Sequence, residues 1–168
     1  MFTRRNILIS FVTLLALIAM FAPAASAQDT VELGLSVSPE NIVVGSNSKW
    51  MSVVFHVEDA YVGCPYTAEN LLPDTITLEV EDNQGTVNYI GVAEYDRYEI
   101  TDAEKDGSDQ ELVLIYAKTD LLNGLNLKDP NLKFLKFRAA GDIAGGNHFI
   151  ASYDAKVTQI KGGQSGRR

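Results

Sequence analysis

The segment "TDAEKDGSDQELVLIY", residues 101–116, concentrates the side chains that hold hard cations. Five carboxylates and one glycine lie between Asp102 and Glu111. Asp102, Glu104 and Asp106 alternate, Gly107 follows, and Asp109 comes two positions later. Calcium loops use this layout, because alternate side chains turn inward and glycine permits the sharp bend. Two features oppose a calcium site. The twelfth position counted from Asp102 is Val113, where a closing bidentate glutamate belongs, and Lys105 places a positive charge inside the loop. Two readings stand side by side: a weak calcium site formed by Asp102, Glu104, Asp106 and Asp109, or a solvated acidic turn between two strands.

Other chemistry-bearing residues are sparser. Tyr61 and Tyr66 fall in a long loop rich in Gly and Pro, and aromatic faces on loops can stack on a glycan. Tyr89, Tyr95 and Tyr98 lie around the edge of the acidic region, where packing explains them equally well. The single cysteine, Cys64, has no base assigned to it by the sequence and reads as a small buried residue. His56 and His148 are too few and too far apart to suggest zinc. Glu79 and Glu81 share the outward face of one strand and read as solvated residues. Serine, histidine and acidic residues are all present, but no G-x-S-x-G string arranges them as a hydrolase nucleophile.

The elements that must position these residues read as strands. Residues 31–37 alternate, with Val31, Leu33, Leu35 and Val37 on one face and Glu32, Gly34 and Ser36 on the other. Residues 50–57 repeat the pattern, with Met51, Val53, Phe55 and Val57 inward and Trp50, Ser52, Val54 and His56 outward. Between them "SPENIVVGSNS" reads as a turn. Residues 58–74 read as an irregular loop. Ile76, Leu78 and Val80 define the inner face of the strand at 75–81, and "EDNQG" is a hairpin loop into 86–92. Residues 111–117 are apolar on both faces, which predicts a covered strand. "KTDLLNGL" is a helical turn, with Thr119 or Asp120 as N-cap and Gly124 as stop. Strands at 133–139 and 153–160 follow, separated by a turn assigned to Gly141, Gly145 and Gly146. Seven or so short strands with Gly, Pro and Asn turns predict an all-β fold, an antiparallel β-sandwich with one short helical turn.

The N-terminus reads as an export signal. Arg4 and Arg5 precede an uncharged apolar run, residues 7–22, and Ala25-Ser26-Ala27 is a small-residue cleavage site. The run is shorter than the roughly 20 residues a membrane span needs. Cleavage after residue 27 leaves one domain at 28–161 and a disordered tail at 162–168, with no membrane span after the signal is removed. Cleavage also takes away two arginines and no acid, so the formal net charge moves from −8 to −10. That charge argues against nucleic acid, which requires a basic footprint, and against anionic lipid.

The order of these segments resembles a known group. "SPENIVVGSNSKWMSVVFHVED", "DTITLEV", "DGSDQELVLIYAKTDLLNGL" and "LKFLKFRAAGDIAGGNHFIASYDAKVTQI" are similar in order and spacing to Ig-like modules of exported bacterial and archaeal proteins. The similarity covers about residues 37–160. The acidic loop departs from the group, because Ala103, Glu104 and Lys105 interrupt its Asp-Gly pairs. The resemblance implies an Ig-like fold and an accessory or adhesion-type role, with no enzymatic activity. The sequence therefore predicts a non-catalytic binding or scaffolding module, exported to the periplasm, cell surface or medium. Its expected partner is an envelope or extracellular protein or a glycan. A cohesin-like module and, from another class, a small secreted hydrolase are the alternatives.

Overall fold

The computed structural model describes residues 29–57, 66–102 and 110–159, with Asp102 described by its backbone alone. Among the described residues there are nine strands: β1 (Thr30–Ser38), β2 (Asn41–Val44), β3 (Trp50–His56), β4 (Thr77–Glu81), β5 (Val87–Ile90), β6 (Arg97–Asp102), β7 (Gln110–Ala117), β8 (Phe134–Ile143) and β9 (Asn147–Gln159). One short helix, α1 (Lys118–Leu121), and two single 3-10 turns, Ala68–Asn70 and Pro73–Thr75, complete the regular structure. No helix among these residues is long and apolar enough to cross a membrane.

The strands form one mixed, curled sheet in the order β5-β4-β8-β9-β1-β3-β7-β6. β1 is the hinge of the curl. Its first residues run parallel to β9, from Thr30↔His148 to Leu33↔Ala151. From Gly34↔His56 onward it runs antiparallel to β3 instead. After the cis Ser38–Pro39 peptide, β2 takes up a parallel pairing further along β9, from Asn41↔Lys156 to Val44↔Gln159. The expected antiparallel sheet is thus corrected at β9, which carries both parallel pairings. β2 was concealed in the sequence because a four-residue strand between Pro39 and Gly45 is too short to show a period.

The inner faces of the two halves share one core. Every second residue of β3, β4 and β8, and of β1 from Leu33 onward, is buried, as the period of two requires. Leu33, Leu35, Val53, Phe55, Ile76, Leu78, Val80, Leu114 and Phe137 all belong to that core. Phe55 of β3 meets Phe149 of β9 edge to face, with ring centroids 5.5 Å apart, so the two halves touch through aromatic rings. Gly141 lies inside β8 and not in the turn after it. A Cβ there would stand 2.8 Å from Phe149 and 2.9 Å from Ile76, so only glycine lets these side chains close over the strand. The turn is made by Gly145 and Gly146, both at positive φ.

β7 is apolar on both faces, as its sequence predicts. Leu112, Leu114 and Tyr116 point into the core, and Ile115 is buried on the opposite face between Ser52 of β3 and Arg97 of β6 in the ladder. α1 follows directly, and its N-cap is Ala117, without a side-chain cap; Thr119 and Asp120 lie within the helix. Gly124, at φ 74°, turns the chain beyond it.

Candidate functional site

The outward face of β1, β3, β7 and β6 carries a hydrogen-bonded row of polar side chains. Ser36 Oγ lies 2.8 Å from His56 Nε2. His56 Nδ1 lies 2.9 Å from Glu111 Oε1. Thr101 Oγ1 donates to Glu111 Oε2 at 3.3 Å. One residue comes from each of four adjacent strands. Register makes the row: His56 faces Glu111 across β3 and β7, and Glu111 faces Thr101 across β7 and β6. Ser36 is one diagonal step away, because His56 faces Gly34 and not Ser36.

Gly34 allows that diagonal. A Cβ at Gly34 would come within 3.1 Å of the His56 Cβ and 3.6 Å of its ring. With hydrogen there, the imidazole can lie over β1 and reach two residues along it. The proton positions follow from the partners. A carboxylate only accepts, so Nδ1 carries the proton facing Glu111. In the neutral ring Nε2 is then the acceptor, and the Ser36 hydroxyl donates to it. The order is that of a nucleophile, a general base and the carboxylate that orients the base. His56 and Glu111 are half-buried, with side chains 27% and 24% exposed, so the row is shielded and still open to small molecules. Val54 and Val113, partly buried on the same face, lie beside it.

The sequence placed Ser36 and His56 on the outward faces of their strands but could not join them. No local string holds the three residues, which are separated by 20 and 55 positions and meet through strand pairing alone. The detectable signal was a lone outward histidine at a strand end, with an outward glycine and serine on the preceding strand.

The residues singled out in the sequence are placed as follows. Glu104, Asp106 and Asp109 lie outside the described residues. Asp102 ends β6, its backbone paired with Gln110. Tyr61 and Cys64 also lie outside the described residues. Tyr66 is partly buried against the core, and its hydroxyl accepts a hydrogen bond from Asn147 Nδ2. Glu79 and Glu81 flank Arg138 of β8, whose guanidinium lies 3.8 Å from Glu79 and 2.5 Å from Glu81. His148 Nδ1 lies 2.5 Å from Asp142 Oδ1, away from His56 on the other half of the sheet. Tyr95 donates to Asp74 at 2.5 Å; burial and then this carboxylate push its phenol up to about 12. Among the described residues no group of three or more His, Cys, Asp or Glu side chains is placed to hold a metal ion.

A second polar cluster closes the opposite end of the molecule. Asp82 and Asp129 are buried carboxylates joined through Gln84. The Gln84 backbone N–H donates to Asp82 Oδ1 at 2.8 Å, and its side-chain Nε2 donates to Asp129 Oδ2 at 2.8 Å. Thr86 N–H also donates to Asp82, and Asn131 N–H to Asp129. Burial pushes the Asp82 carboxyl up, but the N–H groups of Thr86 and Gln84 outweigh it and hold the pKa below the ordinary value. The Asn131 N–H does the same for Asp129 against the opposing effect of burial, with help from the Gln84 side chain. The cluster ties the β4–β5 hairpin to the segment before β8. It fits a structural clasp.

On the outward face of β4, β8, β9 and β1, a shallow depression of ≈ 330 Å³ lies among Glu79, Arg138, Ala140, Ile150, Ser152 and Glu32. Ala140 and Ser152 leave the space that larger neighbours border. Tyr89 of the edge strand β5 pairs with Glu79 beside it and is 60% exposed.

No protein-family model matches the chain, and no curated protein matches it.

Proposed function

We propose that the chain is an Ig-like module, exported to the cell envelope or the medium, that binds or scaffolds a partner there. The strand order supports the fold. β1-β3-β7-β6 follows the order A-B-E-D of an Ig-like sandwich, and β9-β8-β4-β5 follows G-F-C-C′. The export signal at residues 1–27 supports the location.

The observation that carries a binding role is the broad outward face of β4, β5, β8 and β9. It is shallow and has an exposed aromatic edge at Tyr89. Beside that edge the charges alternate as Glu79, Arg138 and Glu81. Such a face suits a protein surface or a glycan, whose sugar rings stack on an aromatic side chain while hydroxyls bond to neighbouring charged groups.

Mature protein immobilised as bait and exposed to culture medium and envelope extract tests the role. A partner retained by wild type and lost with Tyr89→Ala and Arg138→Glu supports the assignment to this face. Retention by both variants moves the binding surface elsewhere, and no retained partner by any form removes the binding role.

A further inference from the structure

We propose that Ser36 is an activated nucleophile and that the row Ser36–His56–Glu111 hydrolyses small neutral esters. This goes beyond the binding role, because it gives the opposite half of the sheet a chemistry of its own.

The inference stands on connectivity. A serine hydroxyl is a weak nucleophile until a neighbouring base takes its proton as it attacks. His56 Nε2 is in place for that at 2.8 Å. A base of this kind must keep the correct tautomer, and Glu111 at 2.9 Å from Nδ1 holds it. Glu111 is held in turn by Thr101. A row that only stitched strands together could use any donor and acceptor. Here a hydroxyl, a base that can take its proton and a carboxylate that orients the base occur in order, and Gly34 leaves the space the imidazole needs to reach the hydroxyl.

In the first step Ser36 Oγ attacks the carbonyl carbon of the ester, and its proton moves to His56 Nε2. The ladder between β1 and β9 ends at Leu33↔Ala151, so from Gly34 onward the edge of β1 facing away from β3 is outside that ladder. Backbone N–H groups along this edge, outside that ladder, would be the donors to the developing oxyanion. Collapse breaks the bond to the alkoxy oxygen, which leaves as the alcohol with the proton from Nε2. Water then attacks the acyl-Ser36 ester, giving its proton to Nε2. The carboxylic acid departs, and Ser36 regains its proton. Water is the only co-reactant, and no electron is transferred. Ser36 and His56 are the catalytic residues, and Glu111 is a positioning residue. Val54 and Val113 offer an apolar bed beside Ser36, and the acidic balance of the chain disfavours anionic substrates, so a short neutral acyl ester is the class expected.

The test uses the mature wild-type chain with a fluorophosphonate probe and with p-nitrophenyl acetate. Peptide mass spectrometry should place one phosphonyl group on Ser36. His56→Ala should slow labelling and ester hydrolysis by about 10²–10⁴-fold, the range for loss of a general base. Glu111→Gln should keep the melting temperature and lower kcat for p-nitrophenyl acetate with KM little changed, which a merely structural carboxylate would not do. Labelling spread over several serines overturns the proposal. So does the absence of labelling on Ser36 in the wild type, and this measurement needs no variant to fold. Because no partner is present in the assay, its failure leaves the binding role untouched.

Discussion

Gly34 faces His56 across the β1–β3 ladder, and the hydrogen in place of a side chain is what lets the imidazole lie over β1 and meet Ser36. Gly34→Val separates this contact from stability. Valine suits an outward strand position, so the change in unfolding free energy should stay within about 1 kcal/mol. The ring must move, however, and the Ser36–His56 hydrogen bond should be lost. Imidazole nitrogen shifts measured by NMR in both proteins check this. An unchanged Nε2 signal in Gly34→Val would show that the ring does not depend on the glycine.

The edge-to-face pair Phe55–Phe149 joins the inner faces of the two halves. Phe55→Ala should cost about 3–5 kcal/mol, and Leu78→Ala about 2–5 kcal/mol, the range for large-to-small changes in a packed core. Urea unfolding followed by fluorescence measures both. A midpoint that hardly moves for either would mean that the side chain is not in the core.

Gly141 offers the reverse experiment. Gly141→Ala puts a methyl group against Phe149 and Ile76 at distances side chains do not tolerate, and should cost about 1–3 kcal/mol. Phe149→Leu removes the ring atoms that collide. In the double variant the two losses should add to less than their sum, and a thermodynamic cycle measures the difference. Strict additivity would show that the strain is released elsewhere.

Asp82 and Asp129 make stability depend on acid. Both have folded pKa values below the ordinary 3.8. The unfolded chain therefore takes up protons first as the pH falls. Their contribution is complete above the ordinary value and is lost as the pH drops through the lower folded values. Thermal melts from about pH 5 to pH 2 should show a falling melting temperature. Asp82→Asn keeps an acceptor oxygen for the N–H groups of Gln84 and Thr86 but no longer titrates, so its curve should be flatter. Parallel curves for the two proteins would exclude Asp82 as a source of the slope.

The reading of residues 1–27 as an export signal has a single expected product. Intact-mass analysis of exported protein should give a chain beginning at Gln28, without residues 1–27. A product that retains residues 7–22 would contradict the proposed location.

The strand faces could be read from the sequence because side chains alternate with a period of two that no partner can alter. Leu33, Val53, Leu78 and Phe137 announce the core locally, and burial follows from solvent alone. Ser36 and His56 were legible in the same way as outward residues. β2 was not, because Ile42, Val43 and Val44 form too short a run between turn residues. β6 was hidden too, since at an edge Tyr98 and Ile100 remain exposed and the alternation has no buried face to reveal it. Gly141 looked like a turn residue, whereas its role is set by Phe149 and Ile76. Only the tertiary structure decided the register. A shift of β3 by two residues along β1 would keep every face unchanged and still separate Ser36 from His56. Alternation is a property of one strand. Which residues stand opposite depends on how two strands, distant in sequence, are fitted together by the core beneath them, and that is where the Ser36–His56–Glu111 row arises.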